Sequence, residues 1–296
     1  MTRRKFIGSI AASGMLAVAD TRARVEDARS SVRRVNVGFA GFTFHRLKPE
    51  EVVAYVKRLG ALGLCIKDSF MGPTATATEI AERKRMLADA GIVAYGVGPV
   101  YIGDADEMKR RFDYAASLGV PTLVGVPFSL KSVPGQSGKR QHGSRALCEL
   151  ASQLADQYKI DFAIHNHGED PKSGVPTLFP TPRATFAMIR DLSPRMGLCL
   201  DVAYAFADGF DVAAEIRTYM PRIYDVHLRN ISDPKNGSSG IAGSMGVIDY
   251  LPIMRALCET GYARWCGIEL ANALDKEGAS EWLADSVGYF KALAGA

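Results

Sequence analysis

Ile92-Val93-Ala94-Tyr95-Gly96-Val97, the helical stretch 105–118 closed by Gly119, and Pro121-Thr122-Leu123-Val124-Gly125-Val126 form one strand–helix–strand unit, and its repetition decides the fold. The two apolar runs are short, rich in β-branched residues and bounded by Gly or Pro, as strands buried on both faces are. The same alternation recurs along the chain on both sides of this unit. Residues 35–40 precede a helix over 49–62 with Pro49 at its start. The strand 64–67 precedes the helix 78–90. After the central unit comes the helix 144–158, then the strand 160–165 and the helix 182–192. The strand 196–201 leads to a short helix over 212–219, and 222–227 leads through a long loop to the helix 250–259. The strand 263–269 and a terminal helix within 280–293 close the series. Gly63, Gly91, Gly119 and Gly261 stand just before strands, where helix C-caps with positive φ are expected.

Eight such units of about 35 residues each are the size of a (β/α)8 TIM barrel, an α/β fold. A doubly wound open sheet is the alternative. It calls for a G-x-G-x-x-G turn after the first strand, and Gly38-Phe39-Ala40-Gly41-Phe42 lacks that spacing. The expected organisation is therefore an export signal over 1–19, a polar linker over 20–34 and a single barrel domain over 35–296.

Composition agrees. Of 296 residues 47% are hydrophobic and 23% charged, which excludes disorder or coiled coil for the bulk of the chain. Arg3, Arg4 and Lys5 account for three of the net +4 charges, leaving +1 for the rest, so no nucleic-acid partner is expected. The five cysteines are scattered without a C-x-x-C pair, which argues against a disulfide framework. At the start, Thr2-Arg3-Arg4-Lys5-Phe6-Ile7 and an uncharged run to Ala17-Val18-Ala19 read as a twin-arginine export signal with a small-x-small cleavage pattern. The expected location is periplasmic or secreted. The apolar run falls short of the about 20 residues a membrane span needs, so no stable insertion is expected.

In a barrel the chemistry sits where strands end. Four of the five histidines fall there: His45 after the first strand, His165 and His167 at the end of the fifth, and His227 at the end of the seventh. Asp201 ends the sixth strand, Glu269 the eighth, and Lys67-Asp68 the second. Period-two alternation puts His165 and His167 on one face, so either can point into the barrel mouth. Imidazoles and carboxylates from neighbouring strands make a mixed nitrogen and oxygen site suited to zinc, manganese, cobalt or iron.

Met196-Gly197-Leu198-Cys199-Leu200-Asp201-Val202, Tyr224-Asp225-Val226-His227-Leu228-Arg229 and Gly267-Ile268-Glu269-Leu270 resemble the last three metal-ligand strands of the xylose isomerase-like TIM barrels, the group of sugar phosphate isomerases and epimerases. Phe42-Thr43-Phe44, Cys65-Ile66-Lys67-Asp68, the segment Ala163 to Asp170 and Gly246-Val247-Ile248-Asp249-Tyr250 extend the resemblance over residues 35–293. It implies one divalent cation, manganese first and cobalt, zinc, iron or magnesium otherwise, on His165, Asp201, His227 and Glu269. It implies a small-molecule sugar or sugar derivative as substrate, and proton abstraction next to a carbonyl through an enediolate. In that reading Glu269, His167 and Lys67 are the catalytic candidates. His45, Phe44, Tyr204 and Arg229 are the substrate-binding candidates, with Phe42 beside them. A homo-oligomer is compatible with all of this.

Three departures from the family pattern shape the expectation. Its isomerases usually carry glutamate where His165 stands, histidine where Tyr204 stands, and Lys-Asp where Arg229-Asn230 stands. The missing strand-five carboxylate puts a two-glutamate mechanism in doubt, brings Glu169 forward as a replacement, and brings elimination by a lyase or dehydratase forward as an alternative reaction. A carbohydrate-binding barrel without turnover is the non-enzymatic alternative. The loops 131–143 and 232–247, rich in small and polar residues, are candidate lids.

Overall fold

A computed structural model describes residues 35–132, 139–167, 178–237, 240–270 and 278–295. The export signal, the linker and Glu169 lie outside the described residues. Eight parallel strands close on themselves: β1 (Asn36–Ala40), β2 (Gly63–Ile66), β3 (Val93–Ile102), β4 (Thr122–Ser132), β5 (Asp161–His165), β6 (Met196–Asp201), β7 (Ile223–Leu228) and β8 (Trp265–Ile268). Each strand pairs with its sequence neighbour, and β8 returns to β1 through Asn36 opposite Trp265 and Phe39 opposite Ile268. The single-domain TIM barrel is thus the architecture. Among the described residues no helix is long and apolar enough to cross a membrane.

Alternation explains how the strands serve two cores at once. On β6, Leu198 and Leu200 join the outer core beneath the helices, whereas Cys199 belongs to a small inner cluster with Cys65, Tyr95, Val124, Ala163 and Tyr224. The inner faces of β5 and β6 therefore run from Ala163 to His165 and from Cys199 to Asp201, ending in polar groups at the mouth.

The helices are α1 (Pro49–Leu59), α2 (Ala77–Asp89), α3 (Ala105–Leu118), α4 (Arg145–Tyr158), α5 (Pro182–Ile189), α6 (Val202–Ala207), α7 (Val212–Tyr219), α8 (Leu251–Glu259) and α9 (Ala279–Ala294). Thr76 caps α2 in a reciprocal box with Glu79, and Asp104, Ser144, Thr181 and Asp211 cap α3, α4, α5 and α7. The short α6 was not expected from the sequence. It forms because Asp201 at the end of β6 accepts from the Tyr204 amide at 3.0 Å.

One glycine corrects the sequence reading. Gly63 is a strand residue, and the left-handed cap of α1 is Gly60 at φ 69°. A Cβ on Gly63 would come within 2.2 Å of the Trp265 ring, so close packing rather than positive φ requires glycine there. Within the two candidate lids some of the described residues form strands. Strand Lys139–Gly143 pairs antiparallel with the end of β4. Asn230–Ile231 pairs with Gly240–Ile241, and a 3-10 turn at Gly243–Met245 follows.

Candidate metal centre

His165, Asp201, His227 and Glu269 converge at the C-terminal ends of β5, β6, β7 and β8, each at most 4% exposed. One ligand atom from each lies within 4.8 Å of all the others. His165 Nε2 is 3.1 Å from His227 Nδ1 and 3.7 Å from Asp201 Oδ2. His227 Nδ1 is 3.2 Å from Glu269 Oε2. Ligand atoms around a tetrahedral ion at about 2.1 Å stand about 3.4 Å apart, so the set has the dimensions of a cation site. Asp201 Oδ2 is buried and makes no hydrogen bond of good geometry, its one charged donor being the Arg229 guanidinium 3.0 Å away. Two imidazoles with two carboxylates fit a divalent cation.

Backbone braces hold three of these four residues or their neighbours in place. Asn166, between the two histidines, accepts from the Asp201 amide at 2.7 Å and donates to its carbonyl at 3.2 Å. Thr43 donates to Ile268 O and accepts from Leu270 N, bracketing Glu269. Tyr250 Oη donates to Arg229 O at 2.6 Å and receives the Arg229 amide at 3.1 Å. Sequence reasoning assigned none of these three a role. An asparagine placed between two strand-end histidines was the available signal.

Arg229 sits closer to the centre than a substrate contact requires. Its guanidinium is 3.0 Å from Asp201 Oδ2 and 3.6 Å from Glu269 Oε2, and it lies 4.4 Å from the Tyr204 ring centroid. Burial raises Asp201 to about 6 despite Arg229. Burial also acts to raise Glu269, but His227 and Arg229 overcome it and hold that carboxyl well below the usual range. Burial pushes His165 well below its ordinary value, so it is neutral, the form that binds a cation. His227 moves the other way. Burial opposes its charge, yet Cys199, Glu269 and Asp225 together raise it.

His167 stands apart from the four. Its ring centre is 6.1 Å from that of His165, and its Nε2 is 3.3 Å from Tyr204 Oη. Tyr101 meets it edge-on at 6.0 Å, so Tyr101, His167, Tyr204 and Arg229 form a continuous wall from β3 to the carboxylates. Lys67 Nζ donates to Pro99 O and lies 5.4 Å from the Phe42 ring centroid; burial lowers its pKa. Asp68 does not pair with Lys67 but with Arg111, at 2.7 Å. His45 stacks on Phe42 at 4.6 Å and is half-buried. Phe44, 1% exposed, packs on Phe39 and Tyr55 in the core.

The profile of the xylose isomerase-like TIM barrel family matches residues 53–293. A search of curated proteins by sequence finds no match. Among solved structures, a D-allulose 3-epimerase from Methylomonas sp. is 14% identical with a TM-score of 0.67, covering 88% of this chain and 98% of its own. An L-ribulose 3-epimerase is 16% identical with a TM-score of 0.68, covering 88% and 95%. The probable 3-DHS dehydratase AsbF from Bacillus anthracis is 12% identical with a TM-score of 0.66, covering 86% and 98%. At these identities the likeness is one of fold.

Proposed function

The chain belongs to the xylose isomerase-like TIM barrel family, and from that premise we propose that it is a metal-dependent sugar isomerase or epimerase. It takes a proton from the carbon beside a carbonyl and returns it elsewhere through an enediolate. The observation that carries this reading is the convergence of His165, Asp201, His227 and Glu269 within 4.8 Å at the ends of four consecutive strands. These four would hold the cation, which supplies Lewis acidity and makes the C–H beside the carbonyl more acidic. The imidazole pair favours manganese, zinc, cobalt or iron over magnesium.

The remaining chemistry belongs to the chain. Glu269 is held ionised, the form a base needs. His167, hydrogen-bonded to Tyr204, is the imidazole placed beside the centre to exchange a second proton. Arg229 fixes both carboxylates and opposes negative charge developing on the substrate. Lys67, with its pKa lowered by burial, is the further candidate acid on the β2 side. On the Arg3-Arg4 pattern we place the working enzyme outside the cytoplasm, which fractionation of the native host checks.

A second reading, elimination by a lyase or dehydratase, is favoured by His165 standing where a second facing carboxylate would serve proton exchange. Elimination needs one base. The fold likeness to a probable dehydratase keeps it beside the first reading. Incubation with keto sugars and keto glycosides in D2O separates the two. Deuterium incorporated at carbon without a new chromophore marks isomerisation or epimerisation; an unsaturated carbonyl absorbing in the ultraviolet marks elimination. Binding without turnover, unchanged by a chelator, would contradict both and identify a carbohydrate-binding barrel.

A further inference from the structure

Beneath the four candidate ligands lies a carboxylate that their convergence leaves unexplained. Asp225, two residues before His227 on β7, is 1% exposed. Its Oδ1 accepts from the adjoining Val226 amide at 2.9 Å, and its Oδ2 has no hydrogen bond. A buried carboxylate so poorly satisfied destabilises a fold unless it serves another group.

The surroundings offer it almost nothing. Cys65, Cys199, Cys266, Tyr95, Tyr262, Glu269 and His227 are the titratable groups coupled to its charge. Three of these have spent their donors elsewhere: Cys65 Sγ donates to Gly98 O, Tyr95 Oη to Phe39 O and Tyr262 Oη to Trp265 O. The remaining nitrogen within reach is His227 Nε2, 3.5 Å from Asp225 Oδ2 and itself without a hydrogen-bond partner. The two unsatisfied atoms face each other. The ring's other nitrogen, Nδ1, points into the candidate centre, toward His165 and Glu269.

A neutral imidazole carries one proton, so the nitrogen that meets a cation is bare only when the other is protonated. We propose that Asp225 is a positioning residue that takes the Nε2–H of His227, fixing the tautomer and ring orientation that present Nδ1 to the ion. This rests on His227 being a ligand, as the reading above has it. Cys199 is the competing acceptor, since its thiol also lies against the His227 ring.

The test uses the purified chain stripped of metal, with Zn2+ affinity measured against a chromophoric chelator and the visible absorption of the Co2+ form recorded. Wild type, Asp225→Asn, Asp225→Ala, Cys199→Ser and His227→Ala are compared, each with its metal-free melting temperature. The expected result is a loss of about 10- to 100-fold in Zn2+ affinity for both Asp225 variants. It comes with an altered Co2+ spectrum, the metal-free melting temperatures showing that each variant is folded. The isosteric Asn keeps the experiment valid should Ala perturb packing. Asp225 variants that bind within twofold of wild type, while His227→Ala loses the ion, overturn the proposal and leave the metal reading standing. A loss confined to Cys199→Ser also overturns it, transferring the role to the thiol. A wild type that takes up no ion overturns the proposal and the metal reading together.

Discussion

Arg229 holds Asp201 and Glu269 in one grip, and its charge decides how the centre behaves without an ion. Two carboxylates this close repel each other, and a buried guanidinium 5% exposed is what lets both remain ionised side by side. Removing it strands two buried charges, a change that costs about 3–5 kcal/mol in comparable cases. Arg229→Met is therefore expected to destabilise the metal-free protein by that order in urea unfolding, with Mn2+ or Zn2+ restoring much of the loss. Equal destabilisation with and without the ion would contradict a shared electrostatic role. His227 sets the pH behaviour. Its folded pKa is raised, so its stabilising contribution is complete below about 6.5, the unfolded value, and is lost as pH rises through the folded value. Metal binding needs the neutral ring and follows the opposite course. Zn2+ affinity should thus fall as pH is lowered through the raised folded value and on toward 5, while the metal-free protein gains stability from this group only down to about pH 6.5. An affinity flat between pH 5 and 8 would contradict the assignment.

At the scale of elements, Asn230 explains both a departure from the family pattern and the order of the loop after β7. Its amide donates to Gly243 O at 2.8 Å and Ile248 O at 3.1 Å, and its oxygen accepts from Ile248 N and Ile231 N, each at 2.9 Å. An aspartate can accept but not donate, so the position serves the loop here rather than the substrate. Asn230→Asp should accordingly unfold at lower urea by about 1–3 kcal/mol, the effect of leaving a buried carbonyl unpaired. Wild-type stability in that variant would show the loop to be held by other means. The strand–helix alternation was legible because each element carries its own period and stop signals; α3 and α7 have the expected bounds. The four convergent residues were legible because costly polar types cluster at strand ends. What stayed hidden is long-range. The packing of Phe44 on Phe39 and Tyr55 depends on where the helix after β1 is laid down. The choice between His165 and His167 depended on where the chain turns after β5, and His167 leaves the barrel axis to bridge to Leu178. Gly63 looked like a cap because the Trp265 ring it accommodates lies 202 positions along the chain.

For the whole molecule, a cation on His165, Asp201, His227 and Glu269 would tie together the half of the barrel that runs from β5 to β8. Binding to the folded state alone stabilises by about 2.7 kcal/mol when free ion is 100 times its dissociation constant. For a domain of this size that is a rise of roughly 5–10 °C in melting temperature. Such a rise, reversed by chelator and absent in Glu269→Gln, is expected; no shift with manganese, zinc, cobalt or iron would argue against a cation centre. The barrel gives this protein its family and its fold, while the centre carries the claim about chemistry. Elemental analysis of the purified chain beside His165→Ala and His227→Ala tests that claim most directly. The expected result is about one manganese, iron, cobalt or zinc per wild-type chain and its loss from both variants. A wild type that holds none, even after Mn2+ or Zn2+ is supplied, would contradict it.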